Sequence, residues 1–200
     1  MRKSLIIAGV GGQGTLLASK IISEAACARG LFVRTSETIG MAQRGGSVSS
    51  HIRIGAKDVS PVVPLGHADI ILGFELAEAV RQIPKLATGA VGVVSIGCIV
   101  PTNVALRQGV YLCDEYLRIL RERLPGGVFI NGGHLAIAAG DARTLNMVIL
   151  GAGIGSGILP LTEGEVRGVM RRCIRGGMLS VNERALELGM EAATPERRGL

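Results

Sequence analysis

The sequence predicts one α/β domain with three layers, in which helices cover both faces of a sheet and an antiparallel hairpin is inserted. Two observations carry this prediction. Continuous apolar runs, typical of strands buried on both sides, alternate with segments whose apolar residues repeat at helical spacing. The 200 residues, of which 48% are hydrophobic and 19% charged, also suffice for one sizeable core. We expect a single domain over residues 1–192 and a frayed tail over 193–200.

The first elements form a strand, a helix and a second strand. The apolar run Ser4–Val10 predicts a buried strand, and Thr15–Ala28 has apolar residues at helical spacing, with Gly30 as the signal that ends the helix. A short strand at Leu31–Arg34 follows. These elements predict a βαβ unit with a right-handed crossover.

The next segment predicts the antiparallel hairpin. A glycine-punctuated loop over Ile39–Ser47 leads to Val48–Ile54, whose alternating pattern indicates a half-exposed strand. Gly55–Asp58 has the composition of a hairpin turn. We therefore expect a short return strand at Val59–Val63, which Pro61 would confine to an edge.

From residue 68 onward, predicted strands and helices alternate again. Strands are expected at Ala68–Phe74, Ala90–Ile96 and Val128–Ile130, helices at Glu75–Ile83 and Asp114–Leu124, an alanine-rich helix through Ala139, and two helices opened by capping boxes at Thr162 and Ser180.

Composition restricts the function. The net charge of +6 favours anionic ligands or acidic partners, but two Tyr, three Phe and no Trp argue against a nucleic-acid binder that stacks bases. The four cysteines, at positions 27, 98, 113 and 173, form no CxxC pair and so predict neither an iron–sulfur cluster nor a zinc site. We interpret them as reduced core residues of a cytoplasmic protein.

Two long stretches without charge raise the question of a membrane. Leu86–Leu106 and Thr144–Thr162 are interrupted by polar residues, proline or glycine, which fits strands, helices and loops better than a membrane span. The N-terminal apolar run Leu5–Val10 is too short for a signal peptide. We expect no membrane partner.

A GxGxxG motif over Gly9–Gly14 follows the first strand and opens the first helix. In a Rossmann-like fold, Gly9 would permit the tight turn, Gly11 the approach of a ligand, and Gly14 close helix packing. Glu37, 23 residues beyond Gly14, could contact a ribose. Three interpretations stay open: phosphate or nucleotide contact, partner contact, and packing alone.

A second glycine cluster, Gly40–Ser47, lies just past the second predicted strand. Gln43 and Arg44 supply hydrogen-bond donors, and Gly45 and Gly46 can expose backbone N–H groups. Because ligands of open α/β sheets bind at the carboxyl ends of the strands, the two glycine clusters should converge there. The alternative is a flexible surface loop.

Other polar residues offer weaker candidates. The three histidines, His51, His67 and His134, match no metal-binding spacing and are interpreted as exposed or capping residues. A basic stripe on one predicted helix, formed by Arg167, Arg171 and Arg175, is either a solvated face or a docking face for an acidic protein.

Four segments in this order resemble one family: GVGGQG, GMAQRGGSVSSHIRIG, HADIILGFELAEA and LNMVILGA, the last containing Asn146. The family is the gamma-type subunit or domain of 2-oxoacid:ferredoxin (acceptor) oxidoreductases, and the chain most resembles the beta subunit of those acting on indolepyruvate. The resemblance covers roughly Lys3–Met178, and MAQRGG is its most specific part.

The resemblance implies an accessory enzyme subunit that is inactive alone. The family converts a 2-oxo acid, coenzyme A and oxidised ferredoxin into acyl-coenzyme A, carbon dioxide and reduced ferredoxin. Thiamine diphosphate and iron–sulfur clusters lie on partner subunits, so this chain would complete the active site at a subunit interface and reach ferredoxin through the complex. The positions that match the family's glycine loops are Gly9, Gly11, Gly12, Gln13, Gly14, Gln43, Arg44, Gly45 and Gly46, and none receives a catalytic role.

Two alternatives from other classes stay open. A free-standing nicotinamide- or flavin-dependent oxidoreductase would use the GxGxxG motif and Glu37. A non-enzymatic module would instead dock acidic proteins through the arginine stripe, chiefly Arg171 and Arg175.

Overall fold

A computed structural model of the chain describes residues 2–40, 45–55, 57–99 and 111–194. Six strands form one mixed sheet in the order β2-β3-β1-β4-β5-β6. The strands are β1 (Lys3–Val10), β2 (Val33–Ile39), β3 (Ser47–Ile54), β4 (Ala68–Gly73), β5 (Leu86–Ser95) and β6 (Val128–Ile130). β1, β4, β5 and β6 run parallel to one another, whereas β3 pairs antiparallel with both β1 and β2.

Seven α-helices accompany the sheet in the described residues. They are α1 (Thr15–Ala28), α2 (Leu76–Arg81), α3 (Cys113–Arg123), α4 (Gly132–Ala139), α5 (Leu145–Gly155), α6 (Glu163–Cys173) and α7 (Met178–Ala193). Short 3₁₀ helices cover Ile83–Lys85 and Ala142–Thr144.

The sheet has a separate hydrophobic core on each face. On the first face, Leu5 and Ile7 of β1 pack with residues of α1, α5, α6 and α7. On the second face, Ile6 of the same strand packs with α2 and α3, including Leu76 and Leu120. Because neighbouring strand residues point to opposite faces, burial on both faces explains the continuous apolar run. The predicted three-layer α/β fold is confirmed.

The antiparallel hairpin is built from different strands than the sequence predicts. β2 and β3 pair along their full length, from Val33 opposite Ile54 to Ile39 opposite Val48, so the glycine cluster connects the two strands of the hairpin. The predicted return strand at Val59–Val63 is not a strand. Prolines 61 and 64 lack the N–H that a strand ladder requires, which gives the physical reason.

The first βαβ unit also differs from the prediction. β2 is parallel to β1 but is not its neighbour, because β3 lies between them. The second strand extends over Val33–Ile39 rather than Leu31–Arg34. The sequence carries no strand signal here, because residues 34–38 are all polar and only two of the seven strand residues are even partly buried.

The two predicted capping boxes have opposite outcomes. Thr162 opens α6 as predicted, because its side chain accepts from the Glu165 N–H while the Glu165 carboxylate accepts from the Thr162 N–H. Ser180 does not open α7, which begins at Met178; its hydroxyl donates instead to the Gly177 carbonyl oxygen. The last six residues of the predicted tail lie outside the described residues.

The cysteines contradict the prediction of four reduced core thiols. Cys98, after β5, is bonded to Cys113 at the start of α3, with their Cα atoms 6.3 Å apart. Cys27 is exposed and Cys173 is partly buried. Sequence spacing could not reveal the bond, because the fold alone brings the end of β5 to the start of α3.

The described residues include no helix with the length and apolar character needed to cross a membrane. Within the two uncharged stretches, Leu86–Ser95 is β5 and Leu145–Gly155 is α5.

Candidate functional site

A crevice forms where β1 and β4 end side by side. From β1 the chain turns into α1 on the first face, and from β4 it turns into α2 on the second face. The two connections therefore diverge above the sheet. Open α/β sheets bind ligands at such a switch point, beyond the carboxyl ends of the strands.

The side chain of Gln13 bridges this crevice. Its Oε1 accepts from the Val10 N–H at 2.8 Å, and its Nε2 donates to the Phe74 carbonyl oxygen at 3.1 Å. Gln13 thus ties the end of β1 to the end of β4 and holds the first glycine loop against the sheet.

Two glycines of the GxGxxG motif are required for packing. A Cβ at Gly9 would lie 2.6 Å from Gln13 Oε1 and 3.0 Å from Phe74 Cβ. A Cβ at Gly14 would overlap the Asn146 side chain, whose Nδ2 donates to the Gly14 carbonyl oxygen at 3.3 Å. Gly14 also has a φ of +75°, the left-handed region that favours glycine. Close packing of α1 on β1 and α5 accounts for both residues.

The structure brings the two glycine loops together. The Gly11 N–H donates to the Gly46 carbonyl oxygen at 2.8 Å, and the Gly45 N–H donates to the Gly11 carbonyl oxygen at 3.5 Å. Gly12 and Gly45 both have positive φ and open space where a Cβ would stand, so only backbone conformation requires glycine there. Gln43 and Arg44, the predicted side-chain donors, lie outside the described residues.

An apolar groove runs beside the first glycine loop. It has a volume of about 380 Å³ and is lined by Gly11, Gly12, Gly14, Thr15, Leu16, Ile39 and Val48. Leu16 is 42% exposed and Ile39 is 60% exposed, so the groove carries two large apolar side chains that contact solvent. Among the residues the structure describes, none that lines the groove is charged.

A polar cluster that the sequence analysis missed lies beside the same loops. Glu78, 7% exposed, accepts from the Ser47 hydroxyl at 2.6 Å and pairs with Arg81 at 3.2 Å. Ser47 is the first residue of β3, directly after the second glycine loop. Glu78 therefore anchors that loop to the first turn of α2. The segment carried no signal for this role, because FELAEAV has the pattern of an ordinary amphipathic helix.

Glu75 is the buried centre of the polar cluster. It is 1% exposed, and its Oε2 accepts from the Glu78 N–H at 3.0 Å as the N-cap of α2. Its Oε1 accepts from the Tyr111 hydroxyl at 3.1 Å and the Ile99 N–H at 3.4 Å. Burial, reinforced by the Glu75 charge, raises the pKa of the Tyr111 hydroxyl, so Tyr111 remains a neutral donor to Glu75.

Glu37 does not occupy the position that a dinucleotide-binding site requires. That position is on the strand next to β1, but Glu37 is on β2 and pairs with Ser50 of the intervening β3. Two strand spacings, about 10 Å in total, separate β2 from β1. The structure therefore does not support the free-standing nicotinamide- or flavin-dependent enzyme.

The histidine prediction is wrong for His51. His51 is 1% exposed rather than on a solvated face; its Nδ1 accepts from the Val63 N–H at 3.1 Å, and Lys85 Nζ lies 3.3 Å from its Nε2. Burial and the Lys85 charge lower the pKa of His51 to about 4. The fold buries it because the segment around Val63 covers this part of β3. His134 is exposed, as predicted.

The predicted arginine stripe is largely neutralised within the chain. Arg167 pairs with Glu163 at 2.7 Å and with Glu187 at 2.8 Å, and Arg171 lies 3.3 Å from Glu183. These ion pairs, one within α6 and two between α6 and α7, favour the interpretation of a solvated face over a docking face for acidic proteins.

Within the described ranges, no group of three or more His, Cys, Asp or Glu side chains is arranged to hold a metal ion. The arrangement combines an apolar groove, suited to binding, with the buried carboxylates of Glu75 and Glu78.

The model of the pyruvate ferredoxin/flavodoxin oxidoreductase family matches residues 4–192 of this chain. The chain belongs to this family. The match includes the groove, both glycine loops and the Glu75–Glu78 cluster. The family resemblance predicted from the four segments is confirmed.

Known relatives agree with the family match. The indolepyruvate oxidoreductase subunit IorB of Archaeoglobus fulgidus is 36% identical over 199 residues, which cover 98% of each chain. The keto/oxoacid ferredoxin oxidoreductase gamma subunit of Geobacter sulfurreducens has the same fold, with a TM-score of 0.68 at 22% identity over 96% of this chain and 98% of its own. A structure of the Magnetococcus marinus 2-oxoglutarate:ferredoxin oxidoreductase, with 2-oxoglutarate, coenzyme A and succinyl-CoA bound, has a TM-score of 0.70 at 21% identity. The match covers 96% of this chain and 31% of the Magnetococcus chain, so a fold like this one also occurs within a longer polypeptide.

Proposed function

We propose that this chain is the small subunit of a 2-oxoacid:ferredoxin oxidoreductase that oxidatively decarboxylates an aryl pyruvate such as indolepyruvate. The observation that carries the substrate class is the 36% identity to an indolepyruvate oxidoreductase subunit along nearly the full length of both chains. Full-length similarity supports a shared place in a complex as well as a shared fold.

We propose that the apolar groove contacts the partner subunit. Leu16 and Ile39 are exposed and line the same groove, and burial of large apolar side chains is a main driving force for association. The exposed apolar side chains that line the groove favour contact with a protein segment. Of the three interpretations of the GxGxxG motif, partner contact and packing are thus preferred.

The second glycine loop would face the partner's active site. Glu78 accepts a hydrogen bond from Ser47, at the end of this loop. The backbone of Gly11 donates to Gly46 and accepts from Gly45. These contacts hold Gly45, Gly46 and Ser47 next to the first glycine loop. We propose that Gln43, Arg44, Gly45 and Gly46 supply hydrogen-bond donors to the partner's active site. We assign these residues, together with Gly9, Gly11, Gly12, Gln13 and Gly14, to the enclosure of the site and none to its chemistry.

We place thiamine diphosphate and the iron–sulfur clusters on the partner subunit, where they would supply decarboxylation and electron transfer. Coenzyme A would accept the acyl group and ferredoxin the electrons; coenzyme A in the related 2-oxoglutarate enzyme supports the first of these. The cytoplasmic location remains a prediction.

Reconstitution tests this proposal. The full chain is mixed with the thiamine- and cluster-binding subunit of the same organism, and coenzyme A-dependent reduction of ferredoxin is followed with indolepyruvate, phenylpyruvate or pyruvate. We expect the mixture to be roughly tenfold or more faster than the partner alone, with the aryl substrates preferred.

Two results would contradict the proposal. Full activity of the partner subunit without this chain would remove its role in the enzyme. A clear preference for pyruvate would remove the proposed substrate class but keep the family assignment.

A further inference from the structure

A second pocket lies at the opposite end of the sheet from the groove, beside the first residues of β1 and β4. It has a volume of about 340 Å³. Its lining includes the basic side chains Arg2, Lys3 and Arg53, and also His67, whose Nδ1 donates to the Leu65 carbonyl oxygen at 2.7 Å. The proposed function makes no use of this pocket.

The positive charge in this pocket is not balanced by acidic residues. Among the described lining residues, Asp69 is the single carboxylate. Its Oδ2 already accepts from the Ser4 N–H at 2.7 Å, and its Oδ1 lies 3.8 Å from Lys3 Nζ. Arg2 and Arg53 have no ion pair within 4.0 Å in the described part of the chain. Two guanidinium groups thus have no acidic partner among the residues that the structure describes.

The neighbouring strand adds to this charge. Arg34 of β2 stands directly opposite Arg53 of β3, so their side chains share one face of the sheet. Arg34 contacts neutral groups, the Lys57 carbonyl oxygen at 3.0 Å and the Phe32 ring at 5.4 Å from its centroid. Like charges directly opposite one another on paired strands destabilise a sheet, and a bound anion would reduce this repulsion.

We propose that this pocket binds the diphosphate group of a small phosphorylated molecule. Guanidinium groups match phosphate oxygens with paired hydrogen bonds, and two free arginines with Lys3 fit a ligand with at least two negative charges. The volume is within the range of small-molecule sites. Ile54, Val59 and Ala87 provide an apolar wall for the carbon part of the ligand.

The basic residues of this pocket contribute to the chain's net charge of +6. The pocket lies at the amino ends of the parallel strands, away from both glycine loops. The two proposals concern different sites. A negative reconstitution result would therefore not affect this inference, and absence of ligand binding in this pocket would not affect the proposed function.

Titration calorimetry on the full chain at low salt tests the inference, with inorganic pyrophosphate and ADP as probes. The variants are Arg2→Gln, Arg53→Gln and their combination. The matched control is Arg118→Gln, which removes the same charge from an exposed arginine on α3 that is already paired with Glu122 at 2.7 Å. Arg2 precedes β1, so its replacement leaves the sheet intact even if Arg53→Gln weakens it.

For each probe, we expect the same dissociation constant for the wild type and the control variant. Each single pocket variant should bind the probe roughly tenfold more weakly. Tighter binding of ADP than of pyrophosphate would extend the site to a nucleoside diphosphate. No binding of either probe to the wild type, or equal binding to all variants, would overturn the inference.

Discussion

Gly14 combines two constraints that no other residue type meets. Its φ is +75°, and a Cβ would overlap the Asn146 side chain, which is 3% exposed. Asn146 cannot move away without losing its hydrogen bond to the Gly14 carbonyl oxygen. Gly14 is therefore required for helix packing, independently of what the groove binds.

We expect Gly14→Ala to lower the free energy of unfolding by about 2–3 kcal/mol, because left-handed strain adds to the overlap. Gly168→Ala is the control, since it lies inside α6 with open space where a Cβ would stand. This control should stabilise the chain by about 0.5–1 kcal/mol. Chemical denaturation measures both; equal effects of the two variants would contradict the packing argument.

His51 makes stability depend on pH. Its pKa is lowered to about 4 in the folded chain, first by burial and then by the Lys85 charge. In the unfolded chain the imidazole protonates near its ordinary pKa of about 6.5. Between these values the unfolded state binds more protons, so the free energy of unfolding falls as the pH is lowered.

We expect the protonation of His51 in the unfolded chain to lower the free energy of unfolding by about 2 kcal/mol between pH 7 and pH 5. Denaturation curves at both pH values measure it, and His51→Gln should remove that part of the pH dependence. His134→Gln, at an exposed position, should not. An unchanged pH dependence in His51→Gln would show that His51 does not titrate as described.

Helices α5 and α7 approach one another closely through glycine. A Cβ at Gly189 of α7 would overlap the Val148 carbonyl oxygen and lie 3.0 Å from the Ala152 nitrogen. A Cβ at Gly151 of α5 would overlap the Leu186 carbonyl group in the same way. Both contacts are with backbone atoms, which cannot rotate aside as a side chain can.

Gly189→Ala should therefore destabilise the chain by about 3 kcal/mol, because the helices must move apart. Gly164→Ala in α6 is a suitable control, since open space surrounds its Cβ position. Thermal unfolding distinguishes the two. If Gly189→Ala unfolds at the wild-type temperature, the close approach of these helices is not required.

For the chain as a whole, the proposed contact between the groove and the partner subunit can be tested by mutation. Leu16→Glu and Ile39→Glu should each weaken association with the thiamine-binding partner by roughly tenfold or more, because a charge would enter an apolar contact. Glutamate in the first turn of a helix is favourable, so Leu16→Glu should not reduce the stability of the isolated chain.

Ile137→Glu provides the matched control for assembly. Ile137 is 67% exposed on α4, which follows β6 at the far edge of the sheet from β2. Co-elution in size-exclusion chromatography measures association. Wild-type assembly of both groove variants, or equal loss in the Ile137 variant, would place the interface elsewhere.

Local patterns predicted most of the parallel sheet and its helices. Ser4–Val10 and Ala68–Phe74 are continuous apolar runs because both faces of the sheet are covered, and Thr162 with Glu165 caps its own helix. These features depend on neighbours within a few residues, so they can be read along the chain. The convergence of the two glycine loops was predicted from a rule of fold architecture, since parallel strands end at one edge of the sheet.

Strand order and long-range polar contacts depended on the tertiary structure. β3 lies between β1 and β2, which removes Glu37 from the ribose position, and no local pattern encodes which edge a strand joins. The Glu75–Tyr111, Ser47–Glu78 and Cys98–Cys113 contacts join residues 15 to 36 positions apart. Periodicity reports which face of an element is buried, whereas pairing partners follow from how the faces fit together in space.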